Sequence, residues 1–556
     1  MYTRLFQNHI VRREVPLDPI WDFHILSSSE KKQEEYKMLV PSCWESNPNL
    51  ASYKGKAVYS KRVTFGGNAR LVFKGVSHTA YVYLDKKQVG YHYNAYTEFD
   101  ILLQDIPHGE HLLEIIVDNS FHMESALHVS NDYHSYGGIT RPIVMEEIGE
   151  MFIKNTHFIP YQENGKWYAS IRTLLSNLSN EKKLVTLKIK VGDDEISFVD
   201  KVLPPNAETL LENTFEFPAA TTYTLENPKL YMLEAKLFDK GKEVDDLIDR
   251  VGFREVKVNG KDILFNGEKV IIKGVNRHED YAEFGCSLPL EAMYRDIEMI
   301  KSLGANCIRT SHYPNDERFL DLCDENGILV WEESHARGLS EEQMRHKNFE
   351  KQSLDCIKEM IESHINHPSI YVWGILNECV SNTEFGRSCY AKQFELIKHL
   401  DSSRPVSFAS LEAHIGSDLC LDLVDIVSFN IYPRWYHETS VKDSLCNLKQ
   451  FVNSTSGAGK PLLISEIGAG AIYGYRNNNQ EKWTEEYQQS ALTEQVTTIL
   501  SDEDLSGVII WQYADCRVDK GWFHGRPKSQ NNKGLVDTYR REKLAYHKVK
   551  EIFHSY

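Results

Sequence analysis

Cysteine is nearly missing from the first half of the chain: of ten cysteines, only Cys43 precedes Cys286. Small β-domains stapled by disulfides would show the reverse distribution. No CxxC or Cys/His cluster has zinc spacing, so buried free thiols are expected. Long apolar runs are also lacking. None reaches membrane-span length, and the opening MYTRLFQNHIVRREVPLD has no apolar core of signal-peptide length, which makes the cytoplasm the expected location. An excess of positive charge is the third absence: 63 Lys and Arg face 80 Asp and Glu, a formal net charge of −17. Such a surface repels nucleic acid phosphates and anionic lipid heads, so neither is an expected partner. An anionic substrate would need a local positive pocket.

What is present is an ordinary globular composition, 41% hydrophobic and 26% charged, in a chain of 556 residues that exceeds what one core usually organises. Residues 1–150 read as short alternating strands (AVYSKRVTF, ARLVFKGV, TAYVYLDKKQVG, HLLEIIVDN) and predict an antiparallel sandwich. Residues 151–253 continue in that character (WYASIRTLLSN, KKLVTLKIKVGD, YMLEAKLFD), at a length suited to a small immunoglobulin-like sandwich.

The texture changes near Val258. Across 254–556, eight apolar segments (KVIIKGVN, ANCIRTSHYP, ILVWEESHARG, IYVWGILNE, PVSFAS, IVSFNIYP, PLLISEIGAG, GVIIWQYAD) alternate with helical stretches such as LEAMYRDIEMIKSLG. That is the arithmetic of a (β/α)8 barrel, whose active sites lie at the C-terminal strand ends. The segments finish in polar residues: NRHED, RTSHYP, ESHARG, NE, FNIYP, SEIG and WQYAD.

Two carboxylates stand out, Glu378 at the end of strand four and Glu466 at the end of strand seven. A buried strand that finishes on Glu needs a reason, because an unpaired carboxylate is costly to desolvate. Either Glu alone could simply ion-pair across the rim; the two together, among aromatics, suggest paired acid/base and nucleophilic work. His278, His312 and His335 also sit on the rim. They come from different strands without HExxH or facial-triad spacing, so hydroxyl hydrogen bonding is expected and no metal or other cofactor.

The strings GVNRHEDY, RTSHYP, WGILNE, FNIYPRWY and SEIG, in this order, resemble glycoside hydrolase family 2, and GGITRPIVMEEI resembles the end of that family's jelly roll. The resemblance covers the whole chain and implies a jelly roll over 1–150, an immunoglobulin-like domain over 151–253 and a catalytic barrel over 254–556. It makes Glu378 the acid/base and Glu466 the nucleophile of a retaining mechanism. Such a pair stands about 5–5.5 Å apart, with one carboxyl protonated and the other ionised. By the same resemblance Arg309 lies beside the nucleophile and lowers its pKa. Tyr432 hydrogen-bonds the nucleophile, Asn377 holds the sugar's 2-hydroxyl, and Trp511 forms the floor under the ring. Asn377 read alone could be a strand-end turn residue, and Trp511 a core residue.

Beyond strand eight, Asn531-x-Lys533-Gly in GRPKSQNNKGLVDTYRREK resembles the signature by which β-glucuronidases hold the sugar carboxylate. Outside that context the segment reads as a solvated basic loop. Tyr436 resembles a further carboxylate contact, and Asp132 a jelly-roll aspartate that reaches the 4-hydroxyl. Two departures fall near C4: Pro527, preceded by Arg526, stands where glucuronidases often have Arg, and Arg337 stands where small residues are usual. They favour galacturonate over its C4 epimer glucuronate, a β-galacturonidase resembling gut-bacterial enzymes, with a glucuronidase or a hybrid of both as the alternative. Arg337 could instead salt-bridge Glu332, Glu333 or another rim carboxylate. The short LSEEQMRHKNFEKQ segment implies an open site for bulky or oligosaccharide leaving groups. Uronic-acid conjugates are thus the expected partners, and a homo-oligomer the expected assembly. The rivals are a neutral β-galactosidase or mannosidase, which has no use for Asn531 and Lys533, and a non-catalytic carbohydrate-binding protein, which would usually have lost a carboxylate.

Overall fold

The computed structural model describes residues 3–15, 17, 19–26 and 35–556. Apolar–polar alternation in KAVYSKRVTFGGNARLVF produces one 18-residue strand, Lys56–Phe73, rather than the two short strands its sequence suggests. It pairs antiparallel with Phe99–Asp118, with register shifts on either side of Gly67, whose φ of +81° suits glycine. These strands are the spine of an eight-stranded sheet whose inward faces bury Trp21, Phe23, Trp44, Tyr59, Leu71 and Ile115.

Next come a three-stranded sheet (Met151–Glu163, Lys166–Asn177, Ala207–Phe217) and a four-stranded sheet (Lys183–Val191, Asp194–Leu203, Tyr231–Asp239, Lys242–Val251). They share one core, including Ile171, Leu187, Leu233 and Phe253. A small meander, Val256–Asn259, Asp262–Phe265 and Glu268–Lys269, then packs Val256, Ile263 and Phe265 against Ile272, Leu329, Trp331 and Ile509.

The strands that follow form a closed parallel barrel: β1 (Ile272–Asn276), β2 (Cys307–Arg309), β3 (Leu329–Glu333), β4 (Ile370–Ile375), β5 (Val406–Leu411), β6 (Val427–Asn430), β7 (Leu462–Ile467) and β8 (Gly507–Ile510). Helix α1 (Leu290–Ser302) follows β1 and α2 (Glu317–Asn326) follows β2. A short α3 (Glu341–Met344) and α4 (Phe349–His364) lie between β3 and β4, and α5 (Glu384–Leu400) follows β4. Then α6 (Val441–Asn453), α7 (Glu485–Leu500) and α8 (Leu544–Ser555) follow β6, β7 and β8. Local chemistry sets their ends: Asp316 caps α2 by accepting from the Arg318 amide, and Gly327 ends it at φ +65°.

One expected unit is incomplete. Between β5 and β6 stands only a single helical turn, Glu412–His414. Here Asp418 accepts hydrogen bonds from Ser381 Oγ (2.6 Å), Ser410 Oγ (2.5 Å) and the Cys420 amide (2.8 Å), so side chains satisfy a loop that a helix would otherwise satisfy. Among the described residues no helix is long and apolar enough to cross a membrane.

The N-terminal sheet docks on the barrel rim. Arg141 donates to Glu279 Oε2 (2.8 Å) and to the Pro314 carbonyl (2.7 Å), and Tyr136 OH donates to Asp280 (2.9 Å). These bonds bring the Asn131–Tyr136 segment to the C-terminal ends of the strands.

Candidate active site

Arg309, fully buried at the end of β2, is the hub of the rim. Its Nε donates to Glu333 Oε2 (2.7 Å), its Nη1 to Asn276 Oδ1 (2.8 Å) and Glu466 Oε1 (2.9 Å), and its Nη2 to Asn377 Oδ1 (2.7 Å). A rigid guanidinium fork thus ties together the ends of β1, β3, β4 and β7. The other oxygen of Glu466 accepts from Tyr432 OH at 2.6 Å. A register irregularity in β7 between Ile464 and Ile467 aims Glu466 into the barrel mouth, and Ser465 Oγ donates to Asn430 Oδ1 (2.8 Å) beside it.

At β4 the backbone turns through two left-handed non-glycine residues, Leu376 (φ +48°) and Glu378 (φ +53°), on either side of Asn377. Such conformations are held only by surrounding contacts. Here the Glu378 amide donates to the Ala409 carbonyl (3.0 Å), and the Gly338 amide donates to the Asn377 carbonyl (2.8 Å). Asn377 Oδ1 accepts from both Arg309 and Asn430 Nδ2 (3.0 Å), which leaves its own Nδ2 buried with no protein partner. A buried, unused donor beside the carboxylates is a place for a ligand oxygen. Glu378 Oε1 accepts from Asn430 Nδ2 (3.0 Å) and Oε2 from Arg337 Nη2 (3.2 Å).

Three carboxylates, Glu333, Glu378 and Glu466, therefore surround two guanidiniums, Arg309 and Arg337. Arg309 pulls the Glu466 carboxyl down, as expected, but does not decide where it comes to rest. Burial pushes the Glu466 carboxyl up to about 7, Glu378 adds to that, and Arg309 and Tyr432 pull against it. Glu333 is likewise pushed up to about 7 by burial, against the pull of Arg309. One cation is shared between two deeply buried acids, so desolvation wins.

His312 stacks on Trp511 (centroids 5.0 Å apart) and places Nδ1 2.8 Å from Glu333 Oε1. Burial lowers its pKa well below the ordinary value, which keeps the ring neutral. Trp511 joins Tyr432 and Trp435 in an aromatic cluster. His278 and His335 are buried close by, with Tyr133 OH 3.2 Å from His335 Nε2.

Lys533, in the segment beyond β8, is 3% exposed. Its Nζ donates to Tyr436 OH (2.9 Å) and stands 5.1–5.7 Å from the rings of Tyr432, Trp435 and Tyr436. Among the described residues no carboxylate lies within 4.0 Å of it. Burial alone would raise the Tyr436 phenol, but Lys533 and Arg526 hold it below its ordinary value. Asn531 does not present its amide freely. Nδ2 donates to Asp132 Oδ2 (3.0 Å), and Oδ1 accepts from the Lys533 amide (3.3 Å). Asp132, from the N-terminal domain, is also gripped by both arms of Arg526, with Nε 2.7 Å from Oδ1.

The structure brings every site residue expected from the sequence to one rim: Asp132, Arg309, His312, Arg337, Asn377, Glu378, Tyr432, Tyr436, Glu466, Trp511, Asn531 and Lys533. Arg337 does salt-bridge a rim carboxylate, as the alternative reading held, but the partner is Glu378 (3.2 Å) rather than Glu332 or Glu333; it also donates to Asn131 Oδ1 (3.3 Å). Asn276, Asn430, Glu333, Asn131 and Trp522 belong to the site and went unassigned by sequence reasoning. Asn276 and Asn430 sit in the strand endings GVNRHED and FNIYP, which was the available signal. The Asp321, Asp324 and His367 group has ligand spacing for a metal but lies at α2, where Arg4 already bonds Asp321 (2.8 Å).

Residues 256–555 match the glycosyl hydrolases family 2 TIM barrel domain, and residues 151–254 match glycosyl hydrolases family 2. The chain belongs to glycosyl hydrolase family 2. It is similar to a family 2 β-galacturonidase from Eisenbergiella tayi solved with galacturonate bound: 51% identity, TM-score 0.98, covering 100% of this chain and 99% of that one. It is also similar to a β-D-glucuronidase of Dictyoglomus thermophilum, at 25% identity and TM-score 0.84 over 100% and 99% of the two chains. Pig (Sus scrofa) β-glucuronidase is 28% identical over 441 residues, which are 76% of this chain and 64% of that protein. The chain thus spans less than two thirds of the length of such curated relatives.

Proposed function

We propose that this family 2 enzyme is a retaining exo-β-hexuronidase that prefers β-galacturonides. The observation that carries the substrate class is Lys533. A buried ammonium whose hydrogen-bond partner is a phenol, with no carboxylate among the described residues within 4.0 Å of it, is a place for an anion from outside. The carboxylate of a uronic acid supplies one. The galacturonate in the Eisenbergiella tayi enzyme supports the choice of epimer.

In this reading Glu378 protonates the leaving oxygen while Glu466 attacks the anomeric carbon from the opposite face. Water, deprotonated by Glu378, then releases the sugar. Tyr432 and Arg309 orient the nucleophile, and the unused Nδ2 of Asn377 meets the 2-hydroxyl. Trp511 lies under the ring, and Lys533 with Tyr436 takes the carboxylate. Asp132 reaches the 4-hydroxyl, and the neutral His312 supports Glu333 and the ring face. The test is hydrolysis of matched aryl β-galacturonide, β-glucuronide and β-galactoside. Rates should fall in that order, and a galactoside cleaved as fast as the uronides would overturn the reading.

A further inference from the structure

We propose that Asp519 is a positioning residue for the sugar-recognition wall, acting through the Asn131–Ser135 segment; this rests on the reading of Asp132 as a substrate contact. Asp519 lies beyond β8 and is only 2% exposed. Its Oδ2 accepts from the Asn131 amide and its Oδ1 from the Ser135 amide, both at 3.3 Å. His134 Nδ1 lies 3.0 Å and Lys54 Nζ 3.5 Å from Oδ1. The Asp519 amide returns a bond to the Asn131 carbonyl, also at 3.3 Å.

The segment it holds is neither helix nor strand, so its shape depends on the acceptors offered to its amides. One buried carboxylate that binds the amides at both ends fixes the curve between them. On that curve stand Asp132, which meets Arg526 and Asn531, and Asn131, which meets Arg337 and through it Glu378. The loop after Asp519 closes the same wall: Trp522 lies 5.4 Å from the Arg337 guanidinium and 5.8 Å from that of Arg526. Asp519 touches no reacting atom. Its contribution is to keep a residue of another domain at the distance the sugar requires, where small displacements are expensive.

The test is a double-mutant cycle on an aryl β-galacturonide, with melting temperature followed. Asp132→Ala alone should lower kcat/KM strongly. Asp519→Ala alone should lower it about 10- to 100-fold, mostly through KM, as loss of charge-assisted bonds predicts. In the Asp132→Ala background the further loss should be smaller, under about threefold, because of the two site residues on the segment only Asn131, which acts indirectly through Arg337, is left. Asp519→Asn keeps an acceptor for one of the two amides and should recover part of the loss, which also covers the case in which Asp519→Ala fails to fold. Fully additive losses would overturn the positioning role and leave Asp132 as a substrate contact. An Asp132→Ala enzyme as active as the parent would overturn both. A fall in melting temperature with kcat lost and KM unchanged would show a merely structural role.

Discussion

Glu378→Gln is the perturbation most directly readable from this site. It keeps an oxygen to accept from Asn430 but removes the negative charge that, after burial, contributes most to raising Glu466. At the ~5.5 Å spacing of retaining carboxyl pairs and an effective dielectric of roughly 20–40, that charge contributes about 1.5–3 kcal/mol, or about 1–2 pH units. The sign follows from the chemistry: an acid freed of a neighbouring negative charge ionises at lower pH. With Glu466 pushed up to about 7, the parent's acid limb should lie near neutrality. The variant's limb should lie about 1–2 units below it. The assay is the pH dependence of kcat/KM, which reports the free enzyme. An aryl galacturonide with a strongly acidic phenol should be used, so that proton donation by residue 378 is not needed. An acid limb that moves upward would refute the electrostatic coupling of the two carboxyls; one that stays in place would show Glu378 already neutral where Glu466 ionises and would remove it as a cause of the raised pKa.

Glu466→Gln should be nearly inactive on every substrate and, at pH 8, more stable than the parent. The raised Glu466 pKa favours the fold fully at acid pH, and that contribution is lost as pH rises through about 7, so the gain in melting temperature should be larger at pH 8 than at pH 5. A 2-fluoro uronyl fluoride should label Glu466, and peptide mass spectrometry finding the label elsewhere would remove it as nucleophile. Glu378→Ala should lose far more on poor leaving groups than on activated phenols, with azide rescue as a β-glycosyl azide; uniform loss without rescue would count against it. Lys533→Ala should cost about 2–4 kcal/mol, roughly 30- to 1,000-fold in kcat/KM, on uronides while sparing neutral glycosides. Because Arg337 bridges Glu378 and Asn131, Arg337→Ala should slow both epimers but galacturonides by about 10-fold more, and equal losses would remove it from epimer selection.

Much of this protein is legible in its sequence because the signals are local. Alternating strands in the first 253 residues, apolar strands with helical spacers after them, and polar residues closing each barrel strand depend on neighbours a few positions apart. Fold rules then place those endings on one rim, so Glu378 and Glu466 could be paired without coordinates. The helix missing between β5 and β6 escaped because the bonds that replace it tie Asp418, in the loop after β5, to Ser410 of β5 and to Ser381 in the loop after β4, a closure with no periodic signature.

The charge partners at the site depend on contacts that sequence spacing does not record. Arg309 meets Glu466 across 157 positions and Asp132 meets Arg526 across 394. Sequence chemistry says that an arginine near a carboxylate lowers its pKa; only packing shows that the same arginine also serves Glu333 in a dry site, so burial prevails and Glu466 rises. Only packing shows that Arg337 turns to Glu378, or that Asn531 is spent on Asp132. Lys533 is the sharpest case. By sequence it belongs to a basic loop, and it suits the proposed role of counter-ion because folding encloses it in aromatic rings and, among the described residues, sets no carboxylate within 4.0 Å of it.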